Sequence, residues 1–342
     1  MIRTIQATFW EVGYTSRTDV GEPPVNGSTA ISIPSAGPVV TSPREVPLGG
    51  LRTMTVRRTL PSRHRTTIGP WCFLDHYGPD PVSVTGGMQV APHPHTGLQT
   101  VSWLFEGAIH HRDSTGSDAL VQPGELHLMT AGHGIQHSEI STPETTTLHG
   151  VQLWVAMPDS HRDQPPHFDV RASLAADVGG AKVQLITGQL PDVGVVDAPH
   201  YWPMVAAQID LPAGHTLTLR VDSSFEHGLL VDHGELELQG EVVSEHHLGY
   251  LPTGSDTLTM TSGDTFTRVI LIGGQPFEEE LVMWWNFVGR THEDVEAART
   301  QWQEGLADGS HRFGHLDHMV ALPAPEMPSV RLKARPSGSK AR

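Results

Sequence analysis

Two pairs of metal-ligating residues, His93 with His95 and His137 with Glu139, each stand two positions apart in the sequence. Alternate residues share a face when the backbone is extended, so each pair predicts a β-strand that aims both side chains at one point. Three imidazoles and one carboxylate make a nitrogen and oxygen donor set that suits a divalent transition metal. The sequence therefore predicts a strand-rich fold with one metal site.

The remaining sequence is also typical of short strands joined by tight turns. Gly occurs 35 times and Pro 27 times among 342 residues. Short alternating segments recur from about residue 86 to 156 and again from about 181 to 273, a spacing typical of all-β sandwiches and barrels. One helix is predicted at 291–306, where Thr291 can cap the first turn and Val295, Ala298, Trp302 and Leu306 form an apolar stripe.

These patterns divide the chain into four parts. Residues 1–45, rich in Gly, Pro, Ser and Thr, predict an irregular N-terminal extension. We expect a metal-binding domain at 46–170, a second domain with the helix at 171–320, and a C-terminal tail at 321–342. The last dozen residues carry five basic and no acidic side chains. That composition predicts a solvated, disordered end.

Composition excludes several classes of function. The formal net charge is −16, with 38 acidic and 22 basic residues, whereas nucleic-acid binding needs a basic surface. A single cysteine excludes an intramolecular disulfide framework. The N-terminus lacks a secretory apolar core, and no apolar run is long enough to span a membrane. We therefore expect a cytoplasmic protein without direct nucleic-acid or membrane contacts.

Other histidines give weaker signals. The second half contains no His-x-His pair opposite a His-x-Glu pair, so we expect no second metal among its histidines: His227, His233, His246 and His247. In the first half, His110 and His111 lie close to Asp113. They fit either the entrance of a pocket or an exposed turn after a strand.

Six segments of the chain resemble the pirin family of the cupin superfamily. The stretch from Gly87 to His95 resembles the first cupin motif, G-x5-H-x-H, and His137 follows as the histidine of the second motif. The segments are RRTLP at 57–61, GPWCFLDHYG at 69–78, HPHTGLQTV at 93–101, MTAGHGIQHSE at 129–139, HGVQLW at 149–154 and VMWWNF at 282–287. The resemblance extends over about residues 50 to 320.

This resemblance implies an all-β chain of two tandem cupin barrels (double-stranded β-helix or jelly-roll) with a short C-terminal helix. It also implies one metal site, in the first barrel, whose ligands are His93, His95, His137 and Glu139. The metal is expected to be Fe²⁺, and Mn, Ni, Cu or Zn also suit these ligands. Gln99 occupies the position where a general cupin places a glutamate. If Gln99 were the ligand instead of Glu139, the site would be weaker and neutral.

Some pirin-like proteins are quercetin 2,3-dioxygenases, so the resemblance implies oxidative ring cleavage of a flavonol-like phenol by O₂. Glu139, partly released from the metal, is then the candidate catalytic base. The alternative is a non-enzymatic regulatory protein that binds a transcription factor or a metabolic enzyme. The acidic composition favours a basic protein partner over DNA. We expect the chain to be a monomer.

Overall fold

Facing β-sheets build both halves of the protein. The computed structural model describes residues 37–48, 54–309, 312–336 and 338. All pairings between its strands are antiparallel, as expected for strands joined by short Gly- and Pro-containing turns. The expected all-β class is confirmed, although the sheets face each other as sandwiches and do not close into barrels.

The described chain up to residue 172 forms two sheets and one short helix, and its first strand joins the large sheet of the second half. Its elements are β1 (Val39–Thr41), β2 (Arg44–Pro47), β3 (Thr55–Leu60), β4 (Trp71–Pro81), α1 (Val82–Thr85), β5 (Gln89–His95), β6 (Leu98–Glu106), β7 (Ile109–Asp113), β8 (Asp118–Val121), β9 (Glu125–Thr130), β10 (Ile135–Ser141), β11 (Thr147–Ala156) and β12 (His167–Ala172). A seven-stranded sheet has the order β12-β9-β6-β11-β4-β3-β2. It faces a four-stranded sheet with the order β5-β10-β7-β8.

The second half repeats this arrangement. Its elements are β13 (Leu174–Val178), β14 (Ala181–Leu190), β15 (Gly194–Val196), β16 (Met204–Leu211), β17 (Thr216–Arg220), β18 (Glu226–His233), β19 (Leu236–Leu238), β20 (Glu241–Val243), β21 (Leu248–Leu251), β22 (Thr257–Ser262), β23 (Thr267–Gly274), β24 (Val282–Trp284), β25 (Phe287–Gly289) and α2 (His292–Asp308). An eight-stranded sheet follows the order β1-β21-β18-β23-β16-β14-β13, with β15 paired to β14. A four-stranded sheet, β17-β22-β19-β20, faces it, and β24 pairs with β25.

The two large sheets pack back to back. On β6, Val101 and Trp103 belong to the same buried cluster as Ile270 and Ile272 of β23. The Trp103 indole also donates a hydrogen bond of 3.0 Å to Gln208 Oε1. Because side chains alternate along a strand, Ser102, between Val101 and Trp103, points into the first sandwich. One strand thus joins the two halves and lines the first interior.

The two interiors differ in chemistry. The second sandwich is filled by a large cluster of buried apolar side chains from both of its sheets, among them Val183, Leu219 and Leu271. The first sandwich instead buries polar side chains, including His95 and His137, each 1% exposed. Buried polar groups cost free energy unless they find partners. The interior of the first sandwich is therefore the candidate location of a functional site.

The strands can be compared with the predicted domain limits at three places. Strand β12 continues to residue 172, so it crosses the predicted boundary between 170 and 171. The extension at 1–45 is not irregular in its described part, because β1 pairs with β21 and β2 pairs with β3. Residues 1–36 lie outside the described residues. With these changes, limits near 46–172 and 173–320 remain our proposal.

The predicted C-terminal helix is present as α2. Thr291 caps it, and its side chain accepts a hydrogen bond of 3.1 Å from the Asp294 backbone in a capping box. Val295, Ala298 and Trp302 are buried as the stripe predicts, whereas Leu306 is 41% exposed. The four-residue helix α1 was not predicted. No helix among the described residues is long and apolar enough to cross a membrane.

The C-terminal tail is not a disordered end in its described part, contrary to the prediction from its charge. The backbones of Arg335 and Leu281 exchange two hydrogen bonds of 2.9 and 3.0 Å. The Leu332 backbone donates to His292 Nδ1 at 3.1 Å, and Arg331 forms an ion pair with Glu293. Composition failed here because these partners lie about 40 or more residues away. Residues 337 and 339–342 of the tail lie outside the described residues.

Acid should destabilise the second half through His227. This side chain in β18 is 1% exposed, and burial lowers its pKa from 6.5 to about 4. The unfolded chain therefore binds the proton first, so stability falls as the pH drops from 6.5 towards 4. In urea unfolding followed by tryptophan fluorescence, His227→Leu should reduce the stability lost between pH 7 and pH 5 by about 2 kcal/mol.

The matched control is His233→Leu, at the end of the same strand, where the side chain is 58% exposed. This variant should keep the pH dependence of the unmodified chain. An equal change in both variants would show that burial of His227 is not the cause.

Candidate metal centre

Antiparallel pairing of β5 with β10 assembles a cluster of three histidines. His137 is the register partner of His93, and Ile135 is the partner of His95. The ring centroids lie 4.4 Å apart for His93 and His137, 5.0 Å for His95 and His137, and 4.9 Å for His93 and His95. One ring nitrogen from each of the three lies within 4.8 Å of the others. The predicted convergence of these two strands is thus present.

The loop between β9 and β10 makes a close backbone approach next to this cluster. Gly132 has a φ of +53°, and a Cβ atom there would lie 1.8 Å from the Gln164 carbonyl oxygen. Its own carbonyl accepts a hydrogen bond of 2.9 Å from the Gly97 backbone. Glycine allows both the positive φ and the close contact with Gln164, because it has no Cβ. The loop can therefore lead directly into the strand that carries His137.

The hydrogen bonds of the histidines fix which ring nitrogens remain free. His93 Nδ1 lies 3.0 Å from the Ala91 carbonyl, which only accepts, so Nδ1 carries the hydrogen and Nε2 keeps its lone pair. His137 Nε2 is buried and has no hydrogen-bond partner. Unpartnered buried nitrogens of this kind are what a metal ion would satisfy. On this observation, the residues fit a metal.

The three imidazoles are held in the neutral form that metal ligation requires. Burial lowers the pKa of His93 from 6.5 to about 4. Burial also holds the pKa of His95 and of His137 well below 6.5, and the neighbouring histidines add to the effect. Neutral imidazoles present lone pairs, so no proton has to be displaced at pH 7.

Glu139 lies in a second group that overlaps the first. Its carboxylate, one nitrogen of His111 and one of His137 lie within 4.8 Å of one another. A β-bulge between His137 and Glu139 shifts the pairing with β5, so Glu139 is opposite Val90. Burial raises the pKa of Glu139, and the Ser102 hydroxyl donates to its Oε1 at 3.4 Å. The four predicted residues thus share one interior, in two groups linked by His137.

His111 also lies in this interior. The sequence predicted either a pocket entrance or an exposed turn for it, and neither prediction anticipated this position. It is 2% exposed, is the register partner of Glu139, and stacks on Phe168 with ring centroids 4.3 Å apart. Its neighbour His110 points outward and forms an ion pair with Asp118 at the surface. Strand alternation is the signal that predicts this position, because residue 111 lies on the same face of the strand as the apolar Ile109.

Gln99 lies away from the histidine cluster. Its Nε2 donates hydrogen bonds to Thr130 Oγ1 at 2.8 Å and to the Pro199 carbonyl at 2.9 Å. It shares a face of β6 with Val101 and Trp103, opposite the face that carries Ser102. Its amide therefore connects the first half to the 197–203 segment and does not replace the carboxylate of Glu139.

Flat aromatic side chains border the cluster. Trp154 meets His95 edge to face at 5.1 Å and stacks on Phe73 at 4.0 Å. The Arg58 guanidinium lies 4.1 Å from the centroid of the Phe73 ring and binds Asp75 through two hydrogen bonds of 2.6 and 2.8 Å. The interior beside the histidines thus combines apolar planes with fixed polar groups.

Another group of possible ligands, His76, His149 and Asp232, lies where the two large sheets meet. Arg57 Nε donates to His76 Nδ1 at 3.2 Å, so the hydrogen of neutral His76 lies on Nε2. That nitrogen is 2.7 Å from Asp232 Oδ1, and His149 Nε2 is 2.6 Å from the same oxygen. Both imidazoles can donate to the carboxylate, so hydrogen bonds account for this group without a metal.

Comparisons with known proteins agree with this architecture. The Pirin family model matches residues 52–155, and the model of the Pirin C-terminal cupin domain matches residues 200–308. A Pseudomonas aeruginosa protein named "Putative quercetin 2,3-dioxygenase" is 42% identical over 290 residues, which cover 83% of this chain and 89% of that protein. A Caulobacter vibrioides "Pirin-like protein" is 33% identical over 286 residues, covering 81% of this chain and 96% of that protein.

A solved structure extends the similarity to three dimensions. The crystal structure of quercetin 2,3-dioxygenase from Acinetobacter baumannii matches with a TM-score of 0.80 and 34% sequence identity, and the match covers 87% of this chain and 98% of that one. The first family match contains all four predicted ligands, and the second ends at Asp308, the last residue of α2. The chain therefore belongs to the pirin family, with two cupin domains in tandem.

Proposed function

We propose that this protein is a metal-dependent dioxygenase that cleaves the ring of flavonol-type phenols with O₂. The buried cluster of neutral histidines beside Glu139 is the observation that carries the proposal. The names of the Pseudomonas and Acinetobacter relatives support the choice of substrate class. One fold hosts many functions, so the chemistry of the site has to support the name.

The proposed metal ligands are His93, His95, His137 and Glu139. Three neutral imidazoles and one carboxylate suit Fe²⁺, and the same donors also accept Mn, Ni, Cu or Zn. Such a donor set leaves coordination positions for a small molecule on a metal that takes five or six ligands. A bound metal would polarise a substrate oxygen and favour loss of its proton, and a redox-active one would also support reaction with O₂.

Glu139 is the proposed catalytic base. Its carboxylate lies in the buried interior, 6% exposed, with the Ser102 hydroxyl on one oxygen. A carboxylate in this position can accept the proton of a phenolic hydroxyl. Trp154 meets His95 edge to face and stacks on Phe73, so this apolar pair shields one side of the cluster from water.

The metal proposal predicts that the chain binds one transition-metal ion and that tight binding requires His137. His137→Ala should lower the affinity for Zn²⁺ by more than roughly 100-fold, since losing a residue that only orients a ligand typically costs 10- to 100-fold. Competition with a chromogenic chelator measures the affinity, and elemental analysis of the purified protein measures the stoichiometry. His110→Ala is the control, because its side chain lies outside the sandwich.

The enzymatic proposal predicts O₂ uptake and carbon monoxide release when the iron-loaded protein is incubated aerobically with quercetin. His93→Ala should abolish both, whereas His110→Ala should retain them. Wild-type protein that binds metal but is inert with several flavonols would contradict the dioxygenase. The alternative of a metal-binding regulatory protein would then take its place.

A further inference from the structure

We propose that Asp113 and His111 are positioning residues that orient the His137 ring towards the metal site. Together they form a hydrogen-bonded chain from a buried carboxylate to a metal-ligating imidazole. This inference rests on the proposed metal site, but it does not require the dioxygenase activity. It gives a role to His111, which the ligand set leaves unused.

The chain consists of two contacts inside the first sandwich. His111 Nε2 lies 3.1 Å from Asp113 Oδ2, and His111 Nδ1 lies 3.4 Å from His137 Nδ1. All three residues are almost fully buried: Asp113 and His137 are 1% exposed and His111 is 2% exposed. Water therefore does not compete for these hydrogen bonds, and each polar atom depends on its protein partner.

The hydrogens along this chain have one consistent arrangement for neutral rings. An ionised carboxylate only accepts, so His111 carries its hydrogen on Nε2 and keeps a lone pair on Nδ1. His137 must then donate from its own Nδ1 to that lone pair. The remaining nitrogen, His137 Nε2, is left with a lone pair, and it is buried without a partner. The chain thus selects the tautomer that a metal ligand needs.

Asp113 is itself held in place by the turn that follows β7. Its Oδ1 accepts hydrogen bonds from the Thr115 backbone at 2.8 Å, from Thr115 Oγ1 at 2.6 Å and from the Ser117 backbone at 3.3 Å. These bonds leave Oδ2 for His111. The turn therefore fixes the carboxylate before any metal binds.

Strand register and stacking fix the other members. β7 pairs with β10 so that Asp113 is opposite His137 and His111 is opposite Glu139. The His111 ring also lies flat on Phe168, with an interplanar angle of 16°. His111 is thereby restrained on two sides, which is expected of a residue that orients its neighbour.

Metal affinity in a series of variants tests this role. His111→Leu keeps an apolar contact with Phe168 but removes the acceptor, so Zn²⁺ affinity should fall roughly 10- to 100-fold. His111→Gln can offer Oε1 to the His137 Nδ1 hydrogen and should restore most of that loss. His110→Ala, one position away on the outer face, should bind Zn²⁺ as the unmodified chain does. Circular dichroism checks that each variant is folded.

The tautomer of His137 gives a second measurement. If Asp113 and His111 had a purely structural role, their substitution would not change this tautomer. In ¹⁵N NMR of the metal-free chain, His137 should carry its hydrogen on Nδ1. Asp113→Leu should shift the population towards the Nε2 form, which isolated histidine prefers.

Two results would overturn the proposal. Equal losses of affinity in His111→Gln and His111→Leu would show that His111 is a ligand or a packing residue. Zn²⁺ affinity within twofold of the unmodified chain in His111→Leu would show that the chain does not orient His137. Tight Zn²⁺ binding by the unmodified chain without turnover of quercetin would contradict only the dioxygenase.

Discussion

Three imidazoles buried side by side are the constraint around which the first half of this protein is organised. A buried ring nitrogen without a partner costs free energy, and protonation would add a charge in a poorly solvated interior. Some ring nitrogens have such partners, because His93 Nδ1 contacts the Ala91 carbonyl and His137 Nδ1 contacts His111. His95 Nδ1 and His137 Nε2 have no hydrogen-bond partner inside the sandwich. The metal ion that we propose would accept the lone pairs of such nitrogens.

The second half supplies rigidity to the sheet that forms one wall of the site. Its own interior is apolar, and its large sheet covers the outer face of β6 and β11 with side chains such as Leu230 and Ile270. Polar bonds add to this contact, including one of 2.6 Å from the Gly69 backbone to Glu226. Both faces of β6 are buried from Leu98 to Leu104, and Ser102 on its inner face lies 3.4 Å from Glu139 Oε1. The second half thus supports one wall of the proposed metal site.

Sequence reasoning found what depends on local spacing. A period of two placed His93 with His95 and His137 with Glu139, and resemblance to a family implied that the two pairs share one metal site. The same alternation places His111 in the interior once the inward face of its strand is known. In the sequence alone, either His110 or His111 can be the inward residue. The pairing of β1 with β21 joins segments about 200 residues apart, so composition could not reveal it. The tail was mispredicted for the same reason.

The polar groups beyond the ligands argue for a site that handles a small molecule. A closed structural metal site needs only its ligands and their immediate partners. Here the polar interior continues from Glu139 to Ser102, whose hydroxyl also lies 2.9 Å from Gln152 Oε1. The Tyr77 hydroxyl is buried without a hydrogen-bond partner. An unpartnered hydroxyl costs free energy in a buried interior, and the phenolic substrate that we propose would offer it a hydrogen-bond partner.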